Sequence, residues 1–293
     1  MVSRARLKRA VKPFIPMSLW TRLRLHKLKT TLQSFPAREV RHTYGGQSLR
    51  VWLADPMAED WYDKDWTEPG EISILRDHQL KPNATVFDLG AHQCVVAMLL
   101  CRAVGPEGRV VALEANPHNA EVARRNRELN HMAQLTILQA AVAAKSGTLT
   151  FNQGLNGNVV AGSGDWGRVE VEAISIDDLT QRYGEPDVLF IDVEGYECRA
   201  LEGANRTLQS HPDCFVEVHV GPKIEEYGGS AEQVLAYFAP EHYDLYVGPE
   251  LATLPKMTPI GRAPEGLLKS KFVLVAVSKN KASVVGPDTP AGS

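Results

Sequence analysis

ThrValPheAspLeuGlyAlaHisGlnCys, from Thr85 to Cys94, decides the fold. Thr85–Leu89 is a short β-prone apolar run carrying one acid, Asp88, and it stops at Gly90. Val95–Val104 then reads as a helix, a GlyProGluGly turn spans Gly105–Gly108, and Arg109–Leu113 forms a second apolar run ending in an acid, Glu114. Strand, glycine turn, helix, strand and terminal acid make the βαβ unit of a nucleotide-binding domain. The glycine lets backbone approach a ligand, and an acid about twenty residues further on suits the two hydroxyls of a ribose.

The same stretch bears on which nucleotide is bound. A dinucleotide site wants G-x-G-x-x-G, which turns backbone N–H groups onto a pyrophosphate. Here Gly90 stands alone, followed by His92, Gln93 and Cys94, and there is no P-loop lysine. An acid two residues before the glycine repels phosphate and attracts a cation. S-adenosylmethionine has no phosphate, a positive sulfonium and an amino acid tail, so Asp88 and Gly90 suit it better than they suit NAD.

Four stretches resemble the FkbM-type family of S-adenosylmethionine-dependent methyltransferases: PheAspLeuGlyAlaHis (Phe87–His92), ValValAlaLeuGluAlaAsnPro (Val110–Pro117), SerIleAspAspLeu (Ser175–Leu179) and IleAspValGluGlyTyrGlu (Ile191–Glu197). Their order and spacing span most of Trp61–Val277. The family usually has Asn at His92, glycine at Cys94, Pro at Ala115 and Lys at Phe190, and the exchange at Cys94 bears on the fit around the cofactor's methionine end. The resemblance implies a class I methyltransferase fold: a Rossmann-like, seven-stranded, mixed and mainly parallel sheet with helices on both faces and an antiparallel last strand. It also implies O-methylation, typically of sugar hydroxyls or polyketide-type natural products.

Length and charge set the outer bounds. At 293 residues and 44% hydrophobic composition, one sizeable α/β domain with appendages is expected. Net charge is −3, but residues 1–42 hold eleven Lys/Arg against one acid, Glu39, leaving about −13 on the remainder. The division expected is a basic N-terminal helical segment with an aromatic lead-in over 1–80, a methyltransferase core over 81–278 and a disordered tail over 279–293. A helix starting near Ser18, with Leu19, Trp20, Leu23, Leu28 and Leu32 roughly on one face, either packs on its own domain or lies on an anionic membrane surface. Four cysteines without a CxxC pair, no signal peptide and no apolar run of spanning length point to a cytoplasmic protein, with residues 1–34 offering peripheral membrane contact.

The remaining chain supplies the other walls of a site. Asp60–Trp66 is aromatic and acidic, and either closes over the ligand or forms the acceptor pocket, or else clamps the N-terminal region to the core. Leu135–Ala140 reads as a third strand, with Ala140–Ala143 a small-residue floor for adenine. Thr148–Phe151 and Arg168–Ala173 read as antiparallel strands, and Gln153–Gly167 as a loop long enough to act as a lid. Asp187–Asp192 is a fourth core strand, Tyr196–Leu208 a helix and Cys214–His219 a fifth strand.

In open α/β sheets, ligands gather at the carboxyl ends of the strands. Asp88, Glu114, Asp192, Glu194, Glu217 and His219 all fall at or just past such ends. Glu114 is expected on the ribose, Asp88 and Gly90 beside the methionine portion, and Ala115 and Ala141 with the adenine. His92 either contacts cofactor or acceptor, or caps the next helix. Asp192 and Glu194 face the reacting centre or cap the helix near Gly195. His219 is either the general base, since histidine titrates near neutrality, or a hydrogen-bonded structural residue. Asp192, Glu217 and His219 admit a divalent metal without demanding one.

The activity expected is S-adenosylmethionine-dependent O-methylation of a small-molecule, glycan or lipid-linked acceptor. Two alternatives stand beside it: an inactive methyltransferase-fold binding protein, and a nucleic-acid methyltransferase using the basic N-terminus. The acidic remainder and the absence of a base-methylation motif speak against nucleic acid.

Overall fold

The computed structural model describes residues 17–152, 154–159, 168–221, 223–249, 266 and 269–279. The basic segment before Met17, most of the Gln153–Gly167 loop expected to act as a lid, residues 250–265 and the tail after Lys279 lie outside the described residues.

The chain opens with α1 (Met17–Ser34) and a hairpin of β1 (Arg38–Tyr44) and β2 (Gln47–Leu53). Gly45 and Gly46 both take positive φ in the two-residue turn, as a type I′ hairpin requires. Tyr44, Leu49, Val51 and Leu53 are fully buried and join the same apolar cluster as the core strands. By contrast, no side chain from Arg22 to Ser34 is buried and Leu23 is 48% exposed, so the described side chains of α1 form no buried stripe. Next come α2 (Pro56–Tyr62), begun by Asp55 whose carboxylate accepts the Met57 and Ala58 N–H groups, and α3 (Gly70–Asp77).

The Rossmann-like core alternates β3 (Thr85–Leu89), α4 (Val95–Val104), β4 (Arg109–Leu113), α5 (Pro117–Leu129) and β5 (Leu135–Leu138). After a second, smaller sheet it resumes with α6 (Ile176–Tyr183), β10 (Val188–Ile191), α7 (Glu197–Glu202), β11 (Asp213–Val218), α8 (Ala231–Ala236), β12 (Tyr243–Gly248) and β13 (Phe272–Ser278). The seven-stranded sheet runs β12-β13-β11-β10-β3-β4-β5, with β13 antiparallel to both neighbours and the other pairs parallel. Both faces are covered, as parallel sheets require. Val86, Val110, Val188 and Phe190 face the α3/α4 side, while Phe87, Leu89, Val111, Leu189 and Ile191 face the α6–α8 side.

Two boundaries differ from the sequence reading. The Leu135–Ala140 run splits at Gln139, where the chain leaves the large sheet. β6 (Ala140–Val142) instead pairs with β9 (Arg168–Ile174), which also pairs with β7 (Gly147–Asn152), itself paired with β8 (Asn158–Val159). The Tyr196–Leu208 helix is only α7, because Gly203 ends it; a Cβ there would meet the Ala143 carbonyl oxygen at 2.3 Å. A 3₁₀ turn at Thr207–Ser210 follows.

Candidate active site

Strand register builds the site. Leu89 pairs with Leu113 on one side and with Ile191 on the other, and Ile191 pairs with Val216. The residues that follow, Gly90, Glu114, Asp192 and Glu217, therefore stand in one row at the carboxyl rim of the sheet. Gly90 has φ +93, and a Cβ on it would fall 1.8 Å from the Asp192 carbonyl oxygen. No other residue fits between these two strand ends.

Three non-glycine residues beside this row also take left-handed backbone: His92 (φ 49), Cys94 (φ 63) and Glu194 (φ 55). Such conformations cost about 1–2 kcal/mol each and cluster at functional sites. Cys94 adopts the backbone that glycine would take, with its thiol fully buried at the start of α4. The exchange leaves the tight turn intact.

A cleft opens above the row, with about 620 Å³ of empty space when its open mouth is included. One wall carries Gly90, His92, Glu114, Ala115 and Ala141; the other carries Asp192 and Glu194, with Tyr196 beside them. Glu114 is 7% exposed, and its two carboxylate oxygens accept N–H bonds from His92 (2.8 Å) and Asn116 (2.7 Å). Burial pushes its carboxyl up to about 8 against those two bonds. The small Ala115 and Ala141 form the expected floor, joined by Phe151. His92 does not cap α4. Its Nδ1 shares a 2.8 Å hydrogen bond with the Tyr62 hydroxyl, its ring lies 4.9 Å from that of Trp61, and burial lowers it to about 4, keeping it neutral. In the Asp60–Trp66 segment Trp61 lines the cleft, while Tyr62 and Trp66 pack against Tyr44 and the core as a clamp would.

Asp88 is not a cleft residue. Alternation along β3 turns it to the α4 side with Val86, where it is 3% exposed, its Oδ2 has no partner and burial raises it to about 7. His219 does not line the cleft either, but sits just behind Asp192 and Glu194. It is 4% exposed, and its Nδ1 lies 2.7 Å from Glu197 Oε1, which also accepts the Gly195 N–H. A carboxylate can only accept, so Nδ1 carries the proton and Nε2 points forward. Nε2 meets Glu217 Oε2 at 3.4 Å, Glu194 Oε2 at 3.5 Å and Asp192 Oδ1 at 3.9 Å. Burial works to lower His219, but the hydrogen bond and charge of Glu197, with Glu194 and Glu217, outweigh it and raise it.

Neither Asp192 nor Glu194 caps α7, whose first turn has no side-chain cap. Desolvation and then the Glu217, Glu194 and Glu197 carboxylates raise Asp192 well above the carboxylate range; its side chain is 40% exposed as a whole, yet Oδ1 is sealed from water. Burial acts to raise Glu194, but the His219 charge, Lys223 and Asn156 together lower it. Asn156 Nδ2 donates to Glu194 at 2.6 Å, and Lys223 is ion-paired with it. The trio that can meet at one ion is Asp192, Glu194 and His219, with Glu194 in the place given above to Glu217.

Sequence reasoning missed three contributors. Glu197 lies inside the quoted IleAspValGluGlyTyrGlu stretch, but only the fold shows that it holds His219. Asn156 carried no local signal. A buried network behind the cleft joins Gln93 and His118 to Asp55 at 2.7 and 2.9 Å, linking residues far apart in sequence.

A nucleotide-type βαβ unit, a seven-stranded sheet with an antiparallel penultimate strand and a rim carrying Gly90, Glu114 and Asp192 define a domain of the class I methyltransferase type. The model of the methyltransferase FkbM domain matches residues 88–245, and the chain belongs to that family. It is similar to the hexuronic acid methyltransferase AglP of Haloferax volcanii, with 27% identity over 178 residues, covering 56% of this chain and 68% of that protein. Among solved structures it is similar to the FkbM methyltransferase of Methylobacillus flagellatus at 16% identity and TM-score 0.43, covering 66% of this chain and 43% of that one. It is also similar to Aeropyrum pernix fibrillarin with bound S-adenosyl-L-methionine, at 10% identity and TM-score 0.42, covering 82% of each chain.

Proposed function

We propose that the protein is an S-adenosylmethionine-dependent O-methyltransferase acting on a sugar hydroxyl, in a free or lipid-linked glycan. The observation that carries this reading is the sharing of one cleft by two differently built walls. The Gly90–Glu114–Ala141 wall suits the donor: Gly90 leaves room for close backbone approach, Glu114 is fixed by two N–H groups with lone pairs to spare for a ribose, and Ala115 and Ala141 give a flat apolar floor. Bound there, S-adenosylmethionine supplies an electrophilic methyl group on a cationic sulfur.

The Asp192–Glu194 wall suits the acceptor. Its carboxyl groups hydrogen-bond a hydroxyl and hold the oxygen in line, and Glu194, the one held ionised, accepts the proton released as that oxygen is methylated; this orientation and base catalysis are the main help such a displacement needs. His219, held from behind by Glu197, keeps the two carboxylates in place. A sugar acceptor is supported by the relative named for a hexuronic acid.

A uronic acid offers both hydroxyls and a carboxylate, so the test must separate ether from ester. The full chain is incubated with methyl-labelled donor and a panel of uronic acids and neutral sugars. Label in a base-stable ether is expected. Label released by mild base would replace the hydroxyl by the carboxylate as acceptor, and no transfer to any sugar would refute the sugar reading.

A further inference from the structure

We infer that Asp192, Glu194 and His219 form a binding site for one divalent cation at the acceptor side of the cleft. The inference rests on the proposed reading only for what the cation does there; the site itself is argued from geometry. Glu197 holds the imidazole through Nδ1, so Nε2 faces Glu217 Oε2, Glu194 Oε2 and Asp192 Oδ1. The separations from Nε2, 3.4–3.9 Å, exceed the usual 2.7–3.2 Å of a direct hydrogen bond. Atoms each about 2.0–2.3 Å from one ion lie about 2.8–3.3 Å apart when adjacent and about 4.0–4.6 Å apart when opposite, so movements of a few tenths of an ångström bring these atoms onto one ion. The three ligand atoms all lie within 4.8 Å of one another.

Two independent features point the same way. Asp192 Oδ1 is sealed from water and makes no hydrogen bond, which leaves its lone pairs open to an ion. The Glu197–His219 pair has the arrangement in which a buried carboxylate orients a metal-binding histidine through its far nitrogen. Glu197 is itself fully buried and therefore rigid. Lys223, whose side chain is 52% exposed, is free to swing away from Glu194 when a cation arrives. Two carboxylates to one imidazole is a hard donor set, which favours manganese or magnesium over zinc. Such an ion would hold an acceptor hydroxyl and lower its pKa.

The test uses the full chain, stripped with chelator and titrated with Mn²⁺ while the electron paramagnetic resonance signal of free aqueous Mn²⁺ is followed. Expected is uptake of one ion per chain, with nitrogen modulation from His219 in the pulsed spectrum. Asp192→Asn and Glu194→Gln, each checked for folding by urea denaturation, should weaken uptake about tenfold or more. No uptake at millimolar Mn²⁺, or uptake unchanged in both variants, overturns the inference. The same samples are titrated with S-adenosylmethionine. Donor binding without Mn²⁺ uptake removes the cation site and leaves the methyltransferase reading standing, whereas Mn²⁺ uptake without donor binding supports the site and removes that reading.

Discussion

Gly90→Ala is the sharpest perturbation of the rim. Gly90 has φ +93, and the added Cβ would lie 1.8 Å from the Asp192 carbonyl oxygen and 2.8 Å from its carbonyl carbon. The backbone conformation alone costs an alanine about 1–3 kcal/mol. The clash adds about 1–3 kcal/mol, the range for overpacking a well-filled interior, because Asp192 is tied to β3 by its own N–H bond to the Leu89 carbonyl at 2.9 Å. Together these give about 4 kcal/mol. Gly184 is the internal control, since it has the same φ of +93 but nothing within 4 Å of its would-be Cβ. Gly184→Ala should therefore lose only the conformational part, about 2 kcal/mol. Urea denaturation of both variants measures the difference, and calorimetry reads donor binding, which Gly90→Ala should abolish because Asp192 and the loop must part. Equal losses in the two variants, with donor binding kept, would refute the reasoning.

The buried Asp88 should impose a pH dependence on stability. Burial holds its folded pKa at about 7, well above the usual carboxylate range, so its contribution is greatest below about pH 4 and is lost as pH rises towards 7, by on the order of 4 kcal/mol. Asp88→Asn should make the slope shallower in urea melts taken from pH 4 to 8, leaving the part due to Glu114 and Asp192, and a slope unchanged in the variant would show that Asp88 contributes none of it. Cys94→Gly should leave stability within about 1 kcal/mol of the parent: relief of left-handed strain, about 1–2 kcal/mol, offsets lost thiol packing and the entropy of a glycine, about 0.5–1 kcal/mol. Its donor affinity should be no weaker, and a large loss of stability would mean that the thiol is needed for packing.

What could be read in advance was what local chemistry encodes. Thr85–Leu113 is a run of apolar strand, glycine, helix and strand whose signals all lie within a few residues of the structure they specify. Once those strands pair in parallel, their ends must form a rim, so Glu114 and Asp192 were legible as site residues. The failures share a physical cause. Gly203 stops α7 because the Ala143 backbone approaches it from another part of the chain, and Gln139 divides an apolar run because β6 finds its partner in β9. Asp88 was placed beside the ligand by its distance from Gly90 in sequence, but the period of two along a strand turns it under α4. His219 was correctly put at a strand end, yet only packing reveals that Asp192 and Glu194 stand in front of it and Glu197 behind.

The central claim is that Glu114 and Gly90 form the donor site of a working methyltransferase. Calorimetric titration of S-adenosylmethionine and its demethylated product into the full chain, repeated with Glu114→Ala, tests it most directly. The account expects micromolar binding by the parent chain and loss of that binding in a variant that still shows the parent's far-ultraviolet circular dichroism. Absence of binding by the folded parent, or equal binding by the variant, would contradict it and make the domain a methyltransferase fold kept for another purpose.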